Sequence, residues 1–160
     1  MSTEKTFANF IEAVDQEIHL LKRLHYRLTV LQALVKDDCH AVMQSAVLET
    51  QEAYENLRLA ELARAAAAIT LTDQLELDPG VRMDEIAAKS HGAWKEIVLE
   101  SRKALIENVD GVQRIIDAIM ALSKQRITQT EQALEFLKKH SNSGYGDSGD
   151  NTGLLITGEI

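Results

Sequence analysis

A single proline, Pro79, leaves long reaches of the chain without a helix breaker. A single cysteine, Cys39, excludes an intramolecular disulfide and fits a reducing compartment, so the cytoplasm is the expected location. Aromatic residues make up only 4% of the chain against 45% hydrophobic residues, so the core must come from Leu, Ile, Val and Ala. No stretch reaches the ~18 consecutive apolar residues that a membrane-crossing helix needs. Runs of Lys or Arg are missing too, and the formal net charge is −8. Such a surface repels phosphate backbones and anionic headgroups, so neither nucleic acid nor stable membrane insertion is expected. The opening "MSTEKTFANF" has no basic start and no apolar h-region, and a secretory signal is not expected.

What is present is helical. The alanine-rich middle and the scarcity of turn residues favour helix by intrinsic propensity, and 160 residues suit one all-α domain. From about Thr3 to Lys36 apolar residues recur at alternating steps of three and four: Phe7, Ile11, Val14, Ile18, Leu21, His25, Leu28 and Val35. Phe10, Leu24, Leu31 and Leu34 widen that stripe, which predicts more than one packing neighbour. Asp37 and Asp38 predict a break, as N-caps for a second helix over about Cys39–Ala68. "LELDPGVRM" (Leu75–Met83) holds the Pro-Gly pair and predicts a turn, followed by a short helix over about Asp84–Lys89.

The last helix is the longest, over about Ser90–His140. Its seam runs through Trp94, Val98, Ser101, Leu105, Asn108, Val112, Ile115, Ile119, Leu122, Arg126, Gln129, Ala133 and Phe136. Fifty helical residues extend roughly 75 Å, and the first helix spans about two thirds of that. Part of the last helix is therefore left without an intramolecular partner, and must bend, self-associate or receive another chain's helix. Beyond Arg126 the seam is diluted by polar residues, which suits reversible packing. Asn108 interrupts its densest part, where one polar residue can fix register. Ser141–Gly144 predict the helix stop, leaving 1–140 as the helical domain and 141–160 as a disordered Gly/Ser-rich tail.

Sites of chemistry are hard to assemble from these residues. A di-iron bundle needs Glu-x-x-His pairs, and the chain has none. Asp37–Asp38–Cys39–His40 gathers metal-ligand types, but no second cluster completes a set of four, so no metal or cofactor is expected. No phosphate loop, nucleophile elbow or Cys/His pair appears. His19 and Lys22, in "HLLKR", have the spacing of a histidine phosphotransfer site, with Arg23 where those domains place a glycine. A His19-based phosphotransfer bundle is therefore one alternative reading, and a structural coiled-coil homodimer is another.

The order of features resembles the FlgN-type flagellar export chaperones. The resemblance is carried by "LVKDD" (Leu34–Asp38), "ETQEAYENLRLAELAR" (Glu49–Arg64), "MDEIAAK" (Met83–Lys89), "LIENVDGVQRIIDAI" (Leu105–Ile119) and "GYGDSG" (Gly144–Gly149). The second helix is more alanine-rich than is usual in that family, and Gly111 stands where a better helix former is expected. The resemblance implies an antiparallel bundle of long helices with no catalytic activity. It further implies a cytoplasmic chaperone that binds the C-terminal helices of hook-filament junction (hook-associated) proteins and presents them to the flagellar type III export gate. Helix-in-groove recognition then places the client on the last helix beyond Asn108, at Ile115, Ile116, Ile119, Leu122, Ile127, Leu134, Phe136 and Leu137. Tyr145 is the expected gate contact, and Leu154-Leu155-Ile156 is left without a role unless it folds back on the seam.

Overall fold

The computed structural model describes residues 2–140, and these form four helices with no strand among them. Helix α1 spans Thr3–Lys36, α2 His40–Gln74, α3 Met83–Lys89 and α4 Ala93–His140. The expected helix stop at Ser141–Gly144, Tyr145 and Leu154–Ile156 lie outside the described residues. No helix among the described residues is long and apolar enough to cross a membrane.

Helix α1 is the centre of the bundle. The Ser2 side chain caps it by accepting from the Lys5 N–H, and Glu4 and Lys36 lie at the ends that suit the helix dipole. Its wide stripe is occupied on both flanks, because α2 packs along one side and α4 along another. Glu17 faces Arg64 and Arg27 reaches Glu49, so α2 runs antiparallel to α1. Phe7 stacks on Trp94 and Lys36 meets Arg126, so α4 runs parallel to α1. Successive long helices thus alternate in direction. Helices α2 and α4 share no extended contact with each other, while α3 packs on α4.

The turn after α1 differs from the expectation that Asp37 and Asp38 cap the second helix. Asp37 closes α1 instead, its N–H donating to the Ala33 carbonyl at 2.9 Å, and Asp38 takes a left-handed backbone with φ 58°. The Cys39 N–H then reaches the Leu34 carbonyl at 3.0 Å. Aspartate tolerates this conformation, and the arrangement satisfies carbonyls that the end of α1 would leave orphaned. The residue before α2 is Cys39, which makes no side-chain cap.

Helix α2 also runs past Ala68 to Gln74, because Leu71 and Thr72 are buried and packing overrides their modest helix propensity. Glu76, with φ 55°, ends it in the same left-handed manner, and the Leu77 N–H donates to the Thr72 carbonyl at 2.9 Å. Ser90 closes α3, its hydroxyl donating to the Ile86 carbonyl at 2.7 Å, and this delays the start of α4 to Ala93.

One apolar cluster joins all four helices, with Phe10, Leu21, Leu57, Leu71, Ile86, Val98, Leu105 and Val112 fully enclosed. Tyr54 and Trp94 border it, partly buried against the core. His25, placed on the core stripe by the sequence pattern, is exposed. It lies over Gly111 of α4, where an added Cβ would meet the His25 ring at 3.7 Å. The missing side chain gives the imidazole a place at the rim, where it does not have to be desolvated.

Candidate functional site

Helix α4 carries its seam from an enclosed setting into an open one. Val98, Leu105 and Val112, seven residues apart, have no solvent exposure. Ile115, Ile116 and Ile119 follow, half-buried against the core, and Leu122 is half-buried too. Ile115, Ile116 and Ile119 therefore take part in the intramolecular packing while keeping part of their surface in solvent.

Arg126 marks the end of the α1 support. Its guanidinium donates to the Lys36 carbonyl at 2.6 Å and pairs with Asp38 at 3.2 Å, and Asp38 also accepts from His40 at 3.0 Å. The Asp37–His40 cluster that carries metal-ligand residue types is thus a hinge clamped to α4, and all four residues are exposed.

Past that clamp, residues 127–140 stay helical and every one is exposed. Fourteen residues at 1.5 Å each project about 21 Å beyond the end of α1. Ile127 is 59% exposed, Leu134 52%, Phe136 61% and Leu137 57%. At 100° per residue Ile127, Leu134 and Leu137 share one side, continuing the face that buries Val98 and Leu105. Met120, 54% exposed and seven residues before Ile127, extends this row and was missed by a seam drawn through Gln129 and Ala133. Phe136 sits about 100° round from Leu137. Its ring lies 4.3 Å from that of His140, whose Nδ1 donates to the Phe136 carbonyl at 2.8 Å.

The drift has a simple origin. A strict seven-residue repeat falls behind an ideal helix by about 20° per heptad, so a seam followed far enough leaves its starting face. The projecting segment is also close to neutral, with Glu131 and Glu135 balanced by Lys138 and Lys139, although the whole chain is strongly acidic. The arrangement can bury an apolar helix face without imposing a charge on it.

The other singled-out residues behave differently. Asn108 is half-buried, but its amide donates to the Ala104 carbonyl of its own helix at 2.7 Å. It is satisfied locally, so the expected register-fixing contact across helices is replaced by one within α4. His19 and Lys22 are both exposed on α1.

The charged pair that sequence reasoning passed over is Glu17–Arg64, buried between α1 and α2 with an ion-paired hydrogen bond. Burial pushes the Glu17 carboxyl above its ordinary pKa, and Arg64 only partly offsets this. Glu61 is raised as well, first by burial and then by the nearby Glu17 charge. A signal existed: Arg64 is the only charge inside the run "ARAAAAI", at a position facing α1. The pair is structural, since both side chains are enclosed.

No curated protein and no solved structure matches the chain. The family model described as FlgN protein matches residues 1–153, nearly the whole length. The chain therefore belongs to the FlgN family of flagellar export chaperones.

Proposed function

We propose that this protein works in the cytoplasm as the chaperone of hook-filament junction (hook-associated) proteins, holding their C-terminal helices and presenting them to the type III export gate. The observation that carries this reading is the projection of α4 beyond Arg126 with Ile127, Leu134 and Phe136 in solvent. A client amphipathic helix laid along this segment, and along the open flanks of Ile115, Ile116, Ile119 and Leu122, buries apolar area on both chains. Each large side chain covered is worth ~1.5–3 kcal/mol, and the cost of ordering the client is subtracted from the sum. The balance is a complex strong enough to prevent early association and weak enough to release. Tyr145 supplies the gate contact, separate from the client surface.

Fluorescence anisotropy with a labelled peptide from the C-terminus of a junction protein tests this. Binding in the submicromolar to micromolar range is expected, with Ile127→Asp/Leu134→Asp weakening it at least ~10-fold, about 1.4 kcal/mol, while the helical circular dichroism is unchanged. Absence of binding across that range overturns the reading. Tyr145→Ala should keep peptide affinity and lower export of the client in cells.

A further inference from the structure

Helix α2 is apolar on two opposite faces. Ala46, Ala53, Leu57, Ala60, Arg64 and Leu71 are buried on the α1 side. Across the helix, Leu59 is 66% exposed, Leu62 64% and Ile69 56%. With the exposed Ala66 they step by three, four and three residues, the spacing of a coiled-coil seam. No helix among the described residues packs along this row, since α1 lies on the far side and α2 shares no extended contact with α4. The exposed Ala63 and the small Ala66 permit close approach by another backbone. At its C-terminal end the row opens onto a cleft of about 280 Å³, lined by Ile69, Phe10, Val81, Met83 and Ile86.

Charge decides what fits there. The same face carries Glu52 and Glu55 before the apolar row and Asp73 after it, with Arg58 as the one cation beside them, all exposed. A parallel second copy would set these acids against one another, and an antiparallel one with Leu62 over Ile69 would pair Arg58 with Asp73 but set Glu55 against Glu76. The chain's own last twenty residues contain Asp147, Asp150 and Glu159 and no Lys or Arg, so they do not complement it. An amphipathic helix with basic residues at both ends of its apolar seam does.

We propose that the outer face of α2 docks such a helix from a protein partner, seam over Leu59, Leu62, Ala66 and Ile69, with a bulky apolar side chain entering the cleft beside Ile69. The site is independent of the α4 projection. Arg64 sits opposite Glu17 while Arg126 sits opposite Lys36, and the two surfaces are about 40 Å apart along the bundle at 1.5 Å per residue. Both can be filled at once by different helices.

The test uses the full chain and two labelled synthetic amphipathic peptides, with leucines at seam positions and ends of either lysine or glutamate. The lysine peptide should bind and weaken with added salt, and the glutamate peptide should bind at least ~10-fold less tightly. Leu59→Ser/Leu62→Ser should lower lysine-peptide affinity at least ~10-fold, and Ile127→Ser/Leu134→Ser should leave it unchanged. The triple variant Glu52→Lys/Glu55→Lys/Asp73→Lys should reverse the preference between the peptides. Equal binding by the two pairs of serine variants, or no reversal, overturns the proposal. A concentration-dependent dimer in sedimentation velocity that Leu62→Ser abolishes assigns the face to a second copy and also overturns it. So does a gain of ~10-fold or more in peptide affinity on removing residues 141–160, which assigns the face to the chain's own end.

Discussion

Helix α4 is one continuous helix in two surroundings. Near its start Trp94 stacks on Phe7 at 5.1 Å, α3 packs against it, and Val98 and Leu105 are sealed. Near its end the same face passes Arg126 and carries Ile127 and Leu134 into solvent. The periodicity barely changes, but the neighbour disappears. Apolar pattern alone therefore does not separate a residue that holds the fold from one that is available to a partner. The length of the supporting helix does, because 34 residues of α1 cannot line 48 residues of α4. The closed end supplies stability and the open end supplies surface, so substitutions should sort by end.

The largest effect is expected at the closed end, at the buried ion pair. Arg64→Ala leaves Glu17 enclosed without its counter-charge and should cost ~3–5 kcal/mol in urea unfolding. A loss near zero would mean that water reaches Glu17 and the closed end is less closed than its burial indicates. The same pair gives the pH dependence its sign. Glu17 and Glu61 have folded-state pKa values above the ordinary 4.5, both chiefly because burial penalises the charged form. Their contribution to stability is complete below the unfolded value and is lost as pH rises through the raised folded values. Glu61→Gln should therefore stabilise the protein relative to wild type at about pH 7 and lose that advantage near pH 4. Urea midpoints at the two pH values check this, and an advantage of the same size at both would remove the electrostatic explanation.

Next comes a matched pair on one helix. Leu105→Ala should cost ~2–5 kcal/mol by opening a cavity in a sealed site. Leu134→Ala should stay within ~0.5 kcal/mol, as exposed positions do. Equal costs would show that something covers the projection in solution.

Much of this comparison was legible from residues alone. The alternating threes and fours of α1, its unusual width and the surplus length of α4 follow from helix geometry, and they pointed to a shared central helix and a projecting end. What was hidden depended on partners far away in sequence. His25 looked like a core residue until Gly111 of α4 was placed beneath it. Glu17 stood outside the apolar stripe read for α1, and its burial comes with Arg64 placed against it. Phe136 lies round the helix from Ile127 and Leu134, because a repeat of seven and a helix of 3.6 residues per turn part company over several turns. The exposure of Leu59, Leu62 and Ile69 on the outer row of α2 required knowing that α4 packs elsewhere.

The smallest expected effect compares the two hinges, which use the same backbone device in different settings. Asp38 and Glu76 both hold left-handed backbones, with φ 58° and 55°. Relieving that strain with glycine returns ~1 kcal/mol, and the looser unfolded chain takes back ~0.4–1 kcal/mol. Glu76 is exposed and forms no salt bridge among the described residues, so Glu76→Gly should be neutral to slightly stabilising. Asp38 has the additional task of pairing with Arg126 and His40, and an exposed pair of this kind is worth ~0.2–1 kcal/mol. Asp38→Gly should therefore be the less stable of the two variants, and Arg126→Ala should remove most of the difference when combined with each. Chemical denaturation of the two single and two double variants measures it. Persistence of the gap without Arg126 would place its cause in the backbone of the α1–α2 turn and dissolve the clamp that separates the supported part of α4 from its projection.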